Sequence, residues 1–288
     1  MNVEIIKTDS TLDCGRFFLD VSGLFGPGDL SIQWVDQPRQ TNPQVERMIE
    51  KTWRKCLHDA GLQGHTLFDG RLCRLASVQR DGAKLNLSIG LTGYREFLGT
   101  NAFNSNLIHK YGQEVLANPV GISATIISSD GYVLLGLRSS NVMLCPGCIH
   151  PIGGIMDAPE QLSGSADPFA AMAGELEQEI ALVKGSIRQI VCIGLVRDKK
   201  TVQPELIFDV HTDVDVATIR QNHLQAVDAD EHSELITMRD HPAIVVDFLS
   251  ENRSRMTPIA QASLLLHGLR HWGSGWLAAA RGYICGVV

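Results

Sequence analysis

Between Gly153 and Leu182 the sequence sets carboxylates at spacings that suit a bound cation. A Gly153-Gly154 pair opens the stretch, and Glu160 follows Gly154 after five residues. A run begun by Asp167-Pro168 then carries Glu175, Gln178 and Glu179. Phe169, Met172, Ala173, Leu176, Ile180 and Val183 recur at helical spacing and form one apolar stripe. Glu175 and Glu179 are four apart, so they stack on one side of the helix, at the flank of that stripe. Two stacked carboxylates repel, partial burial raises the cost, and a divalent cation removes it. Mg²⁺ suits the pair as a hard ion held by one or two carboxylates plus water and phosphate. Mn²⁺ satisfies the same ligands. Gln178 offers a neutral oxygen to the metal or its water, and Glu160 is a further candidate ligand. Gly153 and Gly154 let backbone approach a ligand closely. The competing reading is a solvated helix face, where Glu pairs at this spacing are common.

The elements that must position these groups are legible around them. Asn42-Pro43 and Thr257-Pro258 repeat the cap-plus-proline helix start of Asp167-Pro168. The first leads a helix ended near Gly61, and the second a helix from Pro258 to His271. Residues 2–35 alternate β-like runs at Val3 to Ile6, Arg16 to Val21 and Ser31 to Val35. Asp81-Gly82 and Asp130-Gly131 each mark a hairpin, the second joining Gly121 to Ile127 with Tyr132 to Leu137. Cys145 to Gly164 reads as a Gly/Pro-rich loop. Strands follow at Ile187 to Val196, Glu205 to Val210 and Leu235 to Met238, with helices at Val216 to His223 and Pro242 to Leu249. Asn118-Pro119 marks a boundary, which divides the chain into a small α+β domain over 1–115 and a second domain over 116–288.

The chain has 288 residues, 44% of them hydrophobic and 20% charged, enough for a sizeable core. Its net charge of −7 argues against nucleic-acid binding, which needs a basic surface. No apolar run approaches the roughly 20 residues of a membrane span. The opening residues MNVEIIKTDS do not read as a signal peptide. Seven scattered cysteines, an odd number, fit a reducing, cytoplasmic setting. Cys145-Pro-Gly-Cys148 has redox spacing without a second pair. His267 and His271 have metal spacing with no third ligand apparent in sequence.

The order Gly154, five residues, Glu160, then Glu175, Leu176, Glu179 and Leu182 on a helix resembles the box of the Nudix hydrolases. Residues 161–173, thirteen in place of seven, separate Glu160 from the family's Arg position, which here is Gly174. Gln178 stands at the first of the paired glutamates, and Ala181 at the family's glycine. In the family the Arg orients a catalytic Glu and the middle Glu binds metal. Gly90 to Asn101, which holds Gly90-Leu-Thr-Gly-Tyr94-Arg95-Glu96-Phe97, resembles a signature of the atypical branch that hydrolyses UDP-glucose and UDP-galactose. Asn118-Pro119-Val120-Gly121, Pro146 to Gly154 and Gly194-Leu195-Val196-Arg197 resemble that branch too. The likeness covers about residues 87 to 270.

This resemblance implies an α/β fold, namely a Nudix α/β/α sandwich preceded by a smaller α+β domain. It also implies Mg²⁺, a small-molecule nucleotide-sugar partner, and the products UMP and sugar 1-phosphate. Glu175, Glu179 and Glu205 are the implied catalytic residues, with Glu205 either a further metal ligand or the general base. Tyr94, Arg95, Asn101, Arg138, Arg197, Gly153 and Gly154 are the candidate substrate contacts. The arginines would bind the diphosphate and Tyr94 would stack on uracil, whereas surface ion pairing is the competing account of Arg95, Arg138 and Arg197. Two other functional readings stay open. One is a non-catalytic nucleotide-sugar sensor, which Gly174 and Gln178 favour. The other is a transcription regulator, for which no helix-turn-helix with a basic face is found.

Overall fold

Side-chain alternation and turn residues set the strands of this chain, which the computed structural model describes over residues 15–62, 64–160 and 166–285. The strand expected at Val3 to Ile6 lies outside the described residues. β1 (Phe17–Phe25), β2 (Leu30–Trp34) and α1 (Pro43–Leu62) come first, followed by the hairpin of β3 (Arg71–Asp81) and β4 (Lys84–Gly93). Short helices α2 (Tyr94–Phe97) and α3 (Ile108–Tyr111) lead to β5 (Gly121–Ile127), β6 (Tyr132–Arg138), β7 (Ile149–His150) and β8 (Ile152–Ile155). Then come α4 (Pro168–Ile180), β9 (Ile187–Asp198), β10 (Pro204–Thr212) and α5 (Val216–His223). β11 (His232–Arg239), α6 (Pro242–Asn252) and α7 (Pro258–Cys285) complete it.

The larger sheet runs β1-β9-β10-β5-β6-β11, with β7 on β6 and β8 on β5. β5 and β10 pair in parallel at its centre. Successive side chains on a strand point to opposite faces. Leu206, Phe208 and Val210 therefore meet α4 and the smaller sheet β2-β4-β3 on one side. Ile207 meets α6 and α7 on the other. Sheet, flanking helices and two hydrophobic cores make a mixed α/β sandwich. β1 pairs with β9 from Phe17↔Asp198 to Phe25↔Cys192, so the earliest described strand forms an edge of the larger sheet.

Local chemistry explains the element boundaries. Asn42 Oδ1 accepts from the Gln44 amide at 2.9 Å, and Asp167 Oδ1 accepts from the Phe169 and Ala170 amides at 2.9 and 3.2 Å. Two expectations need correction. The segment Cys145 to Gly164 carries β7 and β8, because its backbone pairs with β6 and β5. That pairing is long-range, and the Gly/Pro composition hides it. Val183 does not continue the stripe of α4: the helix stops at Ile180, Ala181 turns left-handed at φ 53°, and Val183 is exposed. Gly273, at φ 81°, kinks α7 beyond the expected end. Among the described residues no helix is long and apolar enough to cross a membrane.

Candidate active site

Gly153 and Gly154 enter the site as strand residues. Gly153 lies opposite Ser123 in the β5–β8 pair, at φ 153°. A Cβ there would stand 2.0 Å from the Ile122 carbonyl oxygen, so only glycine fits. A Cβ on Gly154 would stand 2.6 Å from Glu175 Oε1, which shows how closely that carboxylate packs on the strand. The apolar stripe of α4 is what presses it there: Phe169, Met172, Leu176 and Ile180 all enter the core.

Glu179 is 2% exposed, and its carboxylate accepts from the Gly153 amide. Glu175 and Glu179 also share a hydrogen bond, which requires a proton between them when no cation is present. Burial, then the charge of Glu179 and of Glu231, pushes the Glu175 carboxyl up to about 8. Burial and Glu231 push Glu179 to about 8 as well. Asp157 adds to the repulsion on Glu175.

His232 Nε2 lies 2.5 Å from Glu179 Oε2, and both groups are buried. Burial, aided by Arg138, holds the imidazole down to about 4, so the ring is neutral. Its Nε2–H donates when Glu179 is ionised. Sequence reasoning missed His232 and its neighbour Glu231. His232 opens β11 and Glu231 ends the single helical turn before it, both remote in sequence from α4, and no local motif marks them. His232 holds Glu179 from β11, whereas the box position of the orienting Arg is occupied by Gly174.

Glu205, the second residue of β10, lies opposite Gly121 and is 6% exposed. Ser123 Oγ donates to its Oε1. Burial pushes it up to about 7, with Asp198 adding to the rise.

Gly153, Gly154, Glu205 and Glu231 border one cleft with two hollows that share Tyr94, Phe103, Arg138, Met143 and Glu231. The inner hollow, about 440 Å³, is lined by Gly153, Gly154, Glu205, Asp198 and Lys200. Glu175 and Glu179 line neither hollow; Glu175 packs against Gly154, which lines the inner one. The outer hollow, about 1210 Å³, is walled by Lys51 and Lys55 of α1. Arg138 is the one arginine lining either hollow among the described residues, and its Nε donates to the Leu144 carbonyl at 3.0 Å.

The other candidates lie elsewhere. Arg95 pairs with Glu50 of α1 at 3.4 Å, and Arg197 with Asp20 of β1 at 2.6 Å. Asn101 is fully buried, and its Nδ2 donates to Asn118 Oδ1 and to the Thr201 carbonyl. It clamps the loop that brings Lys200 and Thr201 to the cleft. Gln178 is exposed, since adjacent helix residues point about 100° apart and Glu179 takes the inward direction. Glu160 is exposed, and its backbone carbonyl accepts from Arg71 Nη1 at 3.2 Å. Asp157 and Ala158 pair with β3 and carry the chain away from α4.

No family model matches the chain. Uridine diphosphate glucose pyrophosphatase NUDT22 from Homo sapiens is 24% identical over 216 residues, covering 67% of this chain and 71% of that protein. Nudix hydrolase 9 from Arabidopsis thaliana is 24% identical over 286 residues, covering 86% of this chain and 88% of that protein. A solved structure of the MutT protein from Methanosarcina mazei Go1 is 19% identical, with a TM-score of 0.32, covering 51% of this chain and 89% of that one. The sandwich, the glutamate helix beside a Gly-Gly strand and the two named relatives support a Nudix hydrolase, an enzyme acting on phosphoanhydride bonds. Within that class it resembles the subfamily of the human relative.

Proposed function

We propose that the chain hydrolyses a nucleoside diphosphate sugar of the UDP-glucose or UDP-galactose type to UMP and sugar 1-phosphate, with Mg²⁺ bound by Glu175 and Glu179. The observation that carries this reading is the carboxylate excess at Gly153-Gly154. Glu175 and Glu179 are stacked, mutually hydrogen-bonded and pushed up to about 8, with the charge of Glu231 acting on both and that of Asp157 on Glu175. No cation of the protein pairs with either carboxylate among the described residues. A hard dication fits such an oxygen set, and Mn²⁺ fits it as well. Glu231 is a further candidate ligand, ahead of Gln178 and Glu160, which are exposed. When bound, the ion supplies charge neutralisation at the diphosphate and lowers the pKa of a water.

The protein's own groups do the remainder. His232 and the Gly153 amide hold Glu179 in one orientation. Glu205, pushed up to about 7 and lining the inner hollow, accepts the proton of the attacking water. Arg138 and Lys200 bind phosphate oxygens. Tyr94 and the half-exposed Phe103 offer ring faces to the base. Residues 116–288 carry the chemistry in this reading, and the earlier residues supply a wall of the cleft through α1 and Tyr94. The human relative's name supports the choice of UDP-glucose. The test is incubation of the chain with UDP-glucose and Mg²⁺, separating the products. UMP and glucose 1-phosphate in equal amounts are expected. Intact UDP-glucose under both Mg²⁺ and Mn²⁺ would remove the reading.

A further inference from the structure

The polar cluster between β10 and α7 takes no part in the chemistry above. It lies on the opposite face of the larger sheet from α4. Asp209 and His267 are fully buried, and His271 follows one turn along α7 with 27% of its side chain exposed. Asp209 Oδ1 lies 3.2 Å from His267 Nδ1, and Asp209 Oδ2 lies 3.3 Å from His271 Nε2. One ligand atom from each of the three residues falls within 4.8 Å of the others. Donors around a tetrahedral ion at about 2.0–2.1 Å stand roughly 3.3 Å apart. The second nitrogen of His267 faces Asp240 Oδ1 at 3.0 Å. A carboxylate behind the imidazole is how metal-ligating histidines are oriented. Arg270 reaches Asp209 Oδ2 at 3.0 Å and Gln189 Oε1 at 3.0 Å, which fixes the carboxylate. The His211 ring, 5.6 Å from that of His271, borders the exposed side.

We propose that Asp209, His267 and His271 form a second metal site, for a transition-metal dication of the Zn²⁺ kind, that ties α7 to β10. Two imidazoles and one carboxylate select such an ion over Mg²⁺, which prefers oxygen alone. In the metal-free protein a proton takes this place. Burial works against charge on His267, but the hydrogen bonds of Asp209 and Asp240 prevail and raise it to about 9. His271, His211 and Arg270 are the other charged or titratable groups facing it.

The test uses the full chain stripped with a chelator, then titrated with Co²⁺, read by its visible absorption, and with Zn²⁺, read by calorimetry. One ion per chain is expected, retained in the Glu175→Gln/Glu179→Gln double variant and weakened at least about 100-fold in His271→Ala. His271 is at the solvent edge, so that variant folds, which circular dichroism checks. No bound ion in the unaltered chain, unchanged binding in His271→Ala, or loss of binding in the glutamate variant would each overturn the proposal. None of these outcomes bears on hydrolysis of UDP-glucose, which is measured separately.

Discussion

Arg138 and Arg197 resemble each other in sequence, each ending a β-like run near a loop, and they part company in the structure. Arg138 lines both hollows, and its charge acts on Glu179, Glu205 and His232. Arg197 is spent on Asp20, with both side chains less than a fifth exposed. A charged hydrogen bond contributes roughly 1.5–3 kcal/mol, so Arg138→Ala should lower kcat/KM for UDP-glucose about 10- to 100-fold while leaving the melting temperature nearly unchanged. Arg197→Ala should do the reverse. Its kcat/KM stays within about twofold, and stability falls by about 1–3 kcal/mol because Asp20 is left half-buried and unpaired. Steady-state kinetics and denaturant melts on the two variants decide it. Equal kinetic losses would contradict the placement of Arg138. Sequence could not separate these arginines, because their difference lies in a partner far away in the chain. His232 and Glu231 were hidden for the same reason.

At the scale of elements, caps and turns were the most legible features. Asn42, Asp167, Asp81-Gly82 and Asp130-Gly131 act through neighbours a few residues away, and the helices and hairpins they mark appear close to where they were read. β8 was not legible, because its strand character comes from pairing with β5 and not from its own residues. The glutamate pair was read from helical spacing alone, and α4 does stack the two carboxylates. Their burial against Gly153-Gly154 needed the fold. The end of α4 shows what one departure from the Nudix box costs. Ala181 caps the helix in the left-handed region, at φ 53°, where glycine is favoured. Ala181→Gly should therefore stabilise the protein by about 0.5–1 kcal/mol. A shift of the urea midpoint to higher concentration at constant m-value checks this, and a shift to lower concentration would refute the strain.

For the whole molecule, the buried carboxylates tie stability to pH. Glu175 and Glu179 hold protons up to about pH 8 in the folded chain, against 4.5 for an ordinary Glu. A folded state that binds protons more tightly loses stability as pH rises through that interval. Glu205, raised to about 7, and His267, raised to about 9 from 6.5, act in the same direction. His232, lowered to about 4, acts in the opposite one, but only below 6.5. The clean window is therefore pH 6.5 to 8. There the chelator-stripped protein should lose stability steadily, and millimolar Mg²⁺ should flatten the slope by replacing the protons of the pair. Glu175→Gln should show a shallower slope than the unaltered chain in the absence of metal. Melting temperatures that are flat without metal, or equally steep with it, would contradict this account of the site.

In the proposed function the buried end of α4 carries the hydrolysis. Release of UMP from UDP-glucose by Glu179→Gln, measured beside the unaltered chain at saturating Mg²⁺, tests it most directly. The substitution keeps the shape of the side chain and the hydrogen bond available to His232, so the fold should persist. A loss of kcat of at least about 100-fold is expected, in line with removal of a group that stabilises the transition state through its charge. Turnover within a fewfold of the unaltered chain would contradict it and move the chemistry away from this helix.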